Sequence, residues 1–264
     1  MKSVLPEPLK VVRRRIRHRL MTKDEAQFAF WKSRLEIDGG RFQNSHYERL
    51  MLGMAEESNT DFLTGEVVAD FGCGPRGSLV WASSARMRIG IDVLANSYAE
   101  EFTSNILSHG MIYLQSTERV IPLPSDFVDV MFTLNALDSV ENFPSMCLEI
   151  IRVIRAGGLF VGGFNLEEPR SPSQPLRLTE TSIKRNLLDH LDVQSYRVTR
   201  RRASDVDAPL FEYAPFFEEK LSYTPGEQGL LWVRAKKPAP RRERLASEVQ
   251  PLDAALRALL RENS

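Results

Sequence analysis

The sequence predicts an α/β fold, a mostly parallel sheet flanked by helices, and three observations carry that expectation. The apolar, β-branched run from Val67 ends in the acid Asp70 and, after Phe71, breaks into the spaced glycines Gly72, Gly74 and Gly77. A second short apolar run, Met87–Asp92, follows about twenty residues later and again ends in an acid. Far downstream, Val193–Val198 and Gly229–Ala235 read as two strands suited to an antiparallel pair that closes the sheet. Strands alternating with helical patterns argue for parallel pairing.

Taken in order, residues 1–21 form a basic arm in which Val12, Ile16 and Leu20 fall at helical spacing. That arm suits a solvated helix, a weak contact with an anionic surface, or substrate contact. Residues 22–63 read as a helical cap that begins with Thr22 and Glu25 as capping chemistry and is interrupted at Asp38-Gly39-Gly40. Phe28, Phe30, Trp31 and Leu35 supply its apolar faces, and Arg41–Tyr47 opens its next helix.

After Phe71 the glycines allow positive φ and let a ligand lie against bare backbone. The polar-then-apolar residues from Ser78 read as a helix start, whose N–H groups and dipole would face that ligand. Gly72-x-Gly74-x-x-Gly77 formally matches a dinucleotide fingerprint. Asp70 argues otherwise, because an acid there opposes a pyrophosphate and suits a cationic ammonium group. Asp92 stands where a carboxylate can accept both hydroxyls of a ribose.

These residues resemble the class I S-adenosylmethionine-dependent methyltransferases, in their small-molecule, type 11-like subgroup, over about Glu66 to Leu166. Asp70, Gly72, Gly74 and Gly77 resemble the first motif, and Asp92 the ribose-binding acid, with Val93 beside it against the adenine. Ser116-Thr117-Glu118 resembles the segment that meets the adenine, which brings in Thr117 and Glu118. Pro122–Phe132 resembles the family's "LPFPDxSFDVV" run, and Asn135–Val140 its "NVLEHV", with Asn135 at the cofactor. Cys147–Arg155 and Ala156–Val161 resemble the helix, "kPGG" turn and fifth strand. Arg76 stands where the family more often has its third glycine, and Ser139 replaces the frequent histidine.

The resemblance implies a Rossmann-like seven-stranded mostly parallel sheet with helices on both faces, over residues 64–237, with an N-terminal helical cap. It implies S-adenosyl-L-methionine as cofactor and methyl transfer to oxygen of a small molecule or saccharide. His46 and Asp138 are the expected bases, and Arg41, Tyr47 and Asn165 the expected acceptor contacts. Nitrogen, carbon or protein acceptors, a catalytically degenerate cofactor-binding partner or regulatory subunit, and a dinucleotide-dependent oxidoreductase stay as alternatives.

The loop at residues 167–175 is too proline-rich for regular structure, and Thr179–Leu191 reads as a helix. Residues 203–228, long and aromatic, would suit a lid over the site. Residues 238–264 form a tail in which Leu252, Leu256, Leu259 and Leu260 make a short amphipathic helix suited to docking or a homodimer.

Composition narrows the classes. The chain of 264 residues balances 35 basic against 35 acidic residues, which argues against a nucleic-acid partner. Cys73 and Cys147 have no metal or redox spacing, and the four histidines are scattered, so no metal is expected and a reducing, cytoplasmic setting fits. No apolar run reaches membrane-span length, and no N/D-P-P-Y/F motif for base-amine methylation is present.

Overall fold

The computed structural model describes residues 21–200 and 222–239. The expectations for the basic arm, for most of the 203–228 lid and for the C-terminal helix therefore lie outside the described residues.

Helix α1, Lys23–Ile37, starts at a capping box in which Thr22 and Glu25 satisfy each other's backbone N–H groups. It stops at Asp38, where Gly39 and Gly40 take φ of 72° and 87°. Helix α2 is His46–Ala55, and strands β1 (Val67–Phe71) and β2 (Met87–Asp92) follow. Short helices α3 (Ala95–Glu101) and α4 (Thr103–Ser108) lead to β3, Ile112–Gln115. Then come β4 (Val128–Leu134), α5 (Phe143–Val153), β5 (Ile154–Leu166), α6 (Glu180–Asn186), β6 (Asp192–Arg200) and β7 (Gly229–Lys236).

The strands form one seven-stranded sheet in the order β3-β2-β1-β4-β5-β7-β6. β1 through β5 pair in parallel, and β7 runs antiparallel between β5 and β6. Strand order reverses at β1 and β4, and the crevice beyond their carboxyl ends is where open α/β sheets bind ligands.

Alternation along β1 sets the layers. Val67, Ala69 and Phe71 face one side, where Met146, Cys147, Ile150 and Val153 of α5 pack. Val68 faces the other, with Leu50, Met51 and Met54 of α2. A third, aromatic cluster joins α1 to α3: Phe28, Trp31 and Leu35 meet Phe42, Tyr98 and Phe102. This cluster brings the cap over the carboxyl ends of β1 and β2.

The helix expected after the glycines does not form. Between Phe71 and Met87 the chain runs through short turns, with Val80, Ala82 and Ala85 N–H donating to Gly77, Leu79 and Ala82 carbonyls. Each bond spans three residues instead of four. Pro75 lacks a donor, and the Ser78 carbonyl is taken by the Trp81 indole N–H at 2.8 Å. Arg86 N–H already donates to the Glu66 carbonyl at 2.9 Å, fixing the entry to β2 before a helix could complete. The expected Thr179–Leu191 helix is likewise shorter, with Leu188–His190 a separate 3-10 turn.

Candidate functional site

A cavity of about 250 Å3 opens at the carboxyl ends of β1, β2 and β4. β1 contributes Asp70, β2 Asp92, and the loops after them Gly72, Cys73 and Val93. Leu134, Asn135, Ala136 and Ser139 come from the end of β4, and Gln27, Phe30, Trp31 and Tyr47 from the cap. Glu118, Ser173 and Gln174 arrive from two further loops.

Asp70 is 2% exposed, and its Oδ2 accepts from Ser78 Oγ. Its Oδ1 is buried with no partner among the described residues. Burial raises the carboxyl to about 7, the Ser78 bond opposing and Asp92 adding to the rise. A cationic group facing Oδ1 would supply what the protein does not. Asp92 accepts from Gly74 N–H through Oδ2 at 3.0 Å and from Leu94 N–H through Oδ1 at 2.9 Å. A carboxylate has about four lone-pair sites, so with the Tyr98 hydroxyl as a third donor one remains for a ligand hydroxyl. Tyr98 hydroxyl lies between Asp92 and the Trp31 indole and hydrogen-bonds to both.

Gly72 and Gly74 hold φ of 74° and 56°. A Cβ on Gly72 would come 2.1 Å from Ala136 Cβ, and one on Gly74 2.4 Å from the Trp31 ring. The loop is thus bare backbone pressed between β4's end and the cap. Asp70, Gly72, Asp92, Val93, Glu118, Asn135 and Tyr47 all line the cavity, while Gly74 backs it through its bond to Asp92. Glu118 pairs with Lys23 of α1 and accepts from Glu141 N–H at 2.9 Å.

Other expected residues sit elsewhere. Gly77 packs under the His109 ring, 2.7 Å from where its Cβ would be, and does not line the cavity. Thr117 is exposed and uses its hydroxyl oxygen to accept from Arg119 and Val120 N–H at 3.2 and 3.0 Å. Arg41 is exposed and away from the cavity. Asn165 is buried behind Asn135, its N–H donating to Asn135 Oδ1 at 3.3 Å, and its own Oδ1 has no partner among the described residues. His46 stacks on Tyr47 with ring centres 4.3 Å apart and lies outside the lining. Burial, then the Arg76 and Arg34 charges, lower it to about 4, so it stays neutral at physiological pH.

Asp138 is also outside the lining, yet it reaches the cavity through two neighbours. Its Oδ1 accepts from Ser139 Oγ at 3.3 Å and its Oδ2 from Gln174 Nε2 at 2.9 Å. Burial raises it to about 7, against the bonds from Ser139 and Gln174. Gln174 and Ser173, Gln27 and Tyr98 escaped the sequence reading. They sit on a proline-rich loop and on helix faces, with no spacing pattern to mark them.

Among the described residues no group of three or more His, Cys, Asp or Glu could hold a metal ion, and no helix is long and apolar enough to cross a membrane.

Residues 69–162 match the model of a family described as methyltransferase domain. No curated protein matches the chain by sequence. Among solved structures, the [4+2]-cyclase SpnF is similar at 16% identity and TM-score 0.58, over 83% of this chain and 98% of that one. The YcgJ protein of Bacillus subtilis is similar at 16% identity and TM-score 0.52, over 73% of this chain and 98% of that one. A Bacillus halodurans protein described as a methyltransferase gives 14% identity and TM-score 0.52, over 74% and 100%. At these identities the likeness is one of fold.

Proposed function

We propose that the chain, whose residues 69–162 match the methyltransferase-domain model, is a class I S-adenosylmethionine-dependent methyltransferase of the type 11 group that methylates an oxygen of a small molecule or saccharide. The observation that carries this reading is the unpartnered, buried Oδ1 of Asp70 in a cavity that Asp92 of the neighbouring strand also lines. One carboxylate awaits a cation and the other keeps a site for a ribose hydroxyl. The residues present therefore fit the family's cofactor. Asp70 would hold its ammonium, Asp92 a ribose hydroxyl, Gly72 its chain against bare backbone, and Val93 the face of its base.

When bound, S-adenosylmethionine supplies a methyl carbon made electrophilic by a sulfonium. The protein's share is to align the acceptor, exclude water and remove a proton. Ser139 lines the cavity and donates to Asp138 Oδ1. Ser139 Oγ takes the acceptor's hydroxyl proton as its own proton passes to Asp138. A carboxyl raised to about 7 is matched to that exchange near neutral pH. In this reading the base is Asp138, acting through Ser139, and His46, outside the cavity lining, takes no part.

A second reading is a cofactor-binding partner or regulatory subunit without transfer. The observation favouring it is that no histidine lines the cavity among the described residues. Calorimetric titration with S-adenosylhomocysteine tests the cofactor site on wild type and on Asp92→Ala. Micromolar binding, weakened at least about tenfold in the variant by loss of a charge-assisted bond, supports the site. Transfer of a labelled methyl group to hydroxylated acceptors then separates enzyme from partner. No heat from wild type would sink the cofactor reading.

A further inference from the structure

Residues 167–178 return across the cavity as a strap. Ser171 and Gln174 close a turn by reciprocal backbone bonds of 2.9 and 3.2 Å. On one side Gln27 Nε2 of α1 donates to the Ser173 carbonyl at 3.3 Å, and on the other Leu176 N–H donates to the Asp138 carbonyl at 3.0 Å. The strap is therefore tied to both the cap and the loop after β4.

At its centre, Gln174 Nε2 donates to Asp138 Oδ2. The amide turns its nitrogen toward Asp138 and its oxygen away, the arrangement that suits the ionised form of the carboxylate. Gln174 lines the cavity, and among the described residues no donor meets its Oε1. Gln174 is half-buried, so its amide oxygen stays open to a donor that enters the cavity.

Charge around it is one-sided. The ionisable carboxyls lining the cavity are Asp70, Asp92 and Glu118, and no Lys, Arg or His lines it among the described residues. A phosphorylated or carboxylated acceptor would meet like charge from Asp70 and Asp92, and the cation nearest the lining, Lys23, is already paired with Glu118. Phe30, Trp31 and Val140 offer apolar walls for the carbon face of a ring.

Resting on the methyltransferase reading above, we propose that Gln174 is the acceptor-recognition residue, its amide oxygen aimed by Asp138 at an O–H donor of an uncharged, hydroxylated acceptor. The shared chemistry is a neutral hydroxyl compound, whether a glycoside or a phenol. Asp138 then serves two tasks through two oxygens: positioning Gln174 and receiving the proton from Ser139.

The test begins with S-adenosylhomocysteine titration of the full chain, because absence of binding overturns the methyltransferase reading and this inference with it. With binding established, labelled methyl transfer is measured to three panels: uncharged glycosides and phenols, their phosphate or carboxylate counterparts, and primary amines. Transfer to the uncharged panel is expected. Gln174→Leu should raise KM for the best acceptor about tenfold, as loss of one buried hydrogen bond does, with KM for the cofactor unchanged. Gln174→Asn should recover part of the loss. Wild type should discriminate against the acceptor's monodeoxy analogue and Gln174→Leu should not, a coupling that a merely structural role would not produce. Transfer confined to anionic acceptors or to amines, no transfer to any panel while the homocysteine product binds, or an unchanged KM in Gln174→Leu would each overturn the inference.

Discussion

Arg76, 1% exposed, donates Nη2 to Asp38 Oδ2 at 2.8 Å, so an ion pair joins the glycine loop to the C-cap of α1. The pair is asymmetric. Asp38 also accepts from Gln43 N–H at 3.1 Å and lies 3.7 Å from Arg34. Burial pushes the Asp38 carboxyl up, but the Gln43 bond and Arg76 together hold it below its ordinary value. Arg76 has Nε and Nη1 buried with no partner among the described residues. Asp38→Ala, which strands the cation, should therefore cost more than Arg76→Met, which leaves Asp38 two partners. Breaking a buried pair costs about 3–5 kcal/mol. Urea midpoints of both variants check this, and an equal or reversed order would refute it.

Arg76 also sets the state of His46. After burial, its charge is the largest influence holding that ring at about 4. In Arg76→Met the ring should move back toward 6.5, visible as an upward shift in the midpoint of its proton resonances. A ring that stays at about 4 would assign the whole effect to burial.

Asp70 should govern the pH dependence of both stability and binding. Its folded value of about 7 lies above the ordinary 3.8. The folded chain thus holds a proton the unfolded chain releases, so stability from this group is full below about 4 and lost as pH rises toward 7. Asp70→Asn removes that loss. It should become more stable relative to wild type as pH rises from 4 to 7, by about 1.4 kcal/mol per unit, then level off. S-adenosylmethionine should bind wild type more tightly above pH 7, where Asp70 is charged, and Asp70→Asn should lose most of that pH dependence. Denaturation and titration at pH 5, 6 and 8 measure both.

Gly72 and Gly39 separate strain from clash. Both have φ above 70°, yet a Cβ on Gly39 meets nothing within 4 Å and one on Gly72 meets Ala136 at 2.1 Å. Gly39→Ala should cost only backbone strain, about 1 kcal/mol, with S-adenosylhomocysteine affinity unchanged. Gly72→Ala must move the loop or β4's end, and should abolish detectable binding. Equal effects of the two substitutions would show that the loop yields.

What was legible in the sequence tracks how local each signal was. The β1 and β2 runs, their terminal acids and the β4 run announce themselves by alternation and by an acid next to glycine. Thr22 and Glu25 mark α1 because capping acts within one turn. The helix expected after Gly77 does not form, and the long-range part of the reason, the Arg86 N–H held by the Glu66 carbonyl twenty residues earlier, has no local signal. Gly77 packs against the His109 ring, an approach that no spacing encodes. Gln174 meets Asp138 across 36 residues, so the acceptor side could be seen only once the strap was folded over the cavity.

Trp31 offers a direct optical report on the site. Of the three tryptophans, only Trp31 is both part of the cavity wall and bonded to the Tyr98 hydroxyl that also meets Asp92. Trp81 packs edge-on against Phe132, and Trp232 lies under Arg197 on β7, both away from the cavity lining. A ligand drawing on Asp92 and lying against Gly72 must change the surroundings of the Trp31 indole. S-adenosylhomocysteine should therefore alter the tryptophan emission saturably, with a midpoint equal to the calorimetric Kd. Trp31→Phe should abolish the change while Trp232→Phe preserves it. Tyr98→Phe should weaken binding several-fold, because Asp92 loses a donor that fixes its carboxylate and such bonds contribute about 1 kcal/mol. A saturable change that survives Trp31→Phe would place the ligand away from the cap and remove α1 from the cofactor site.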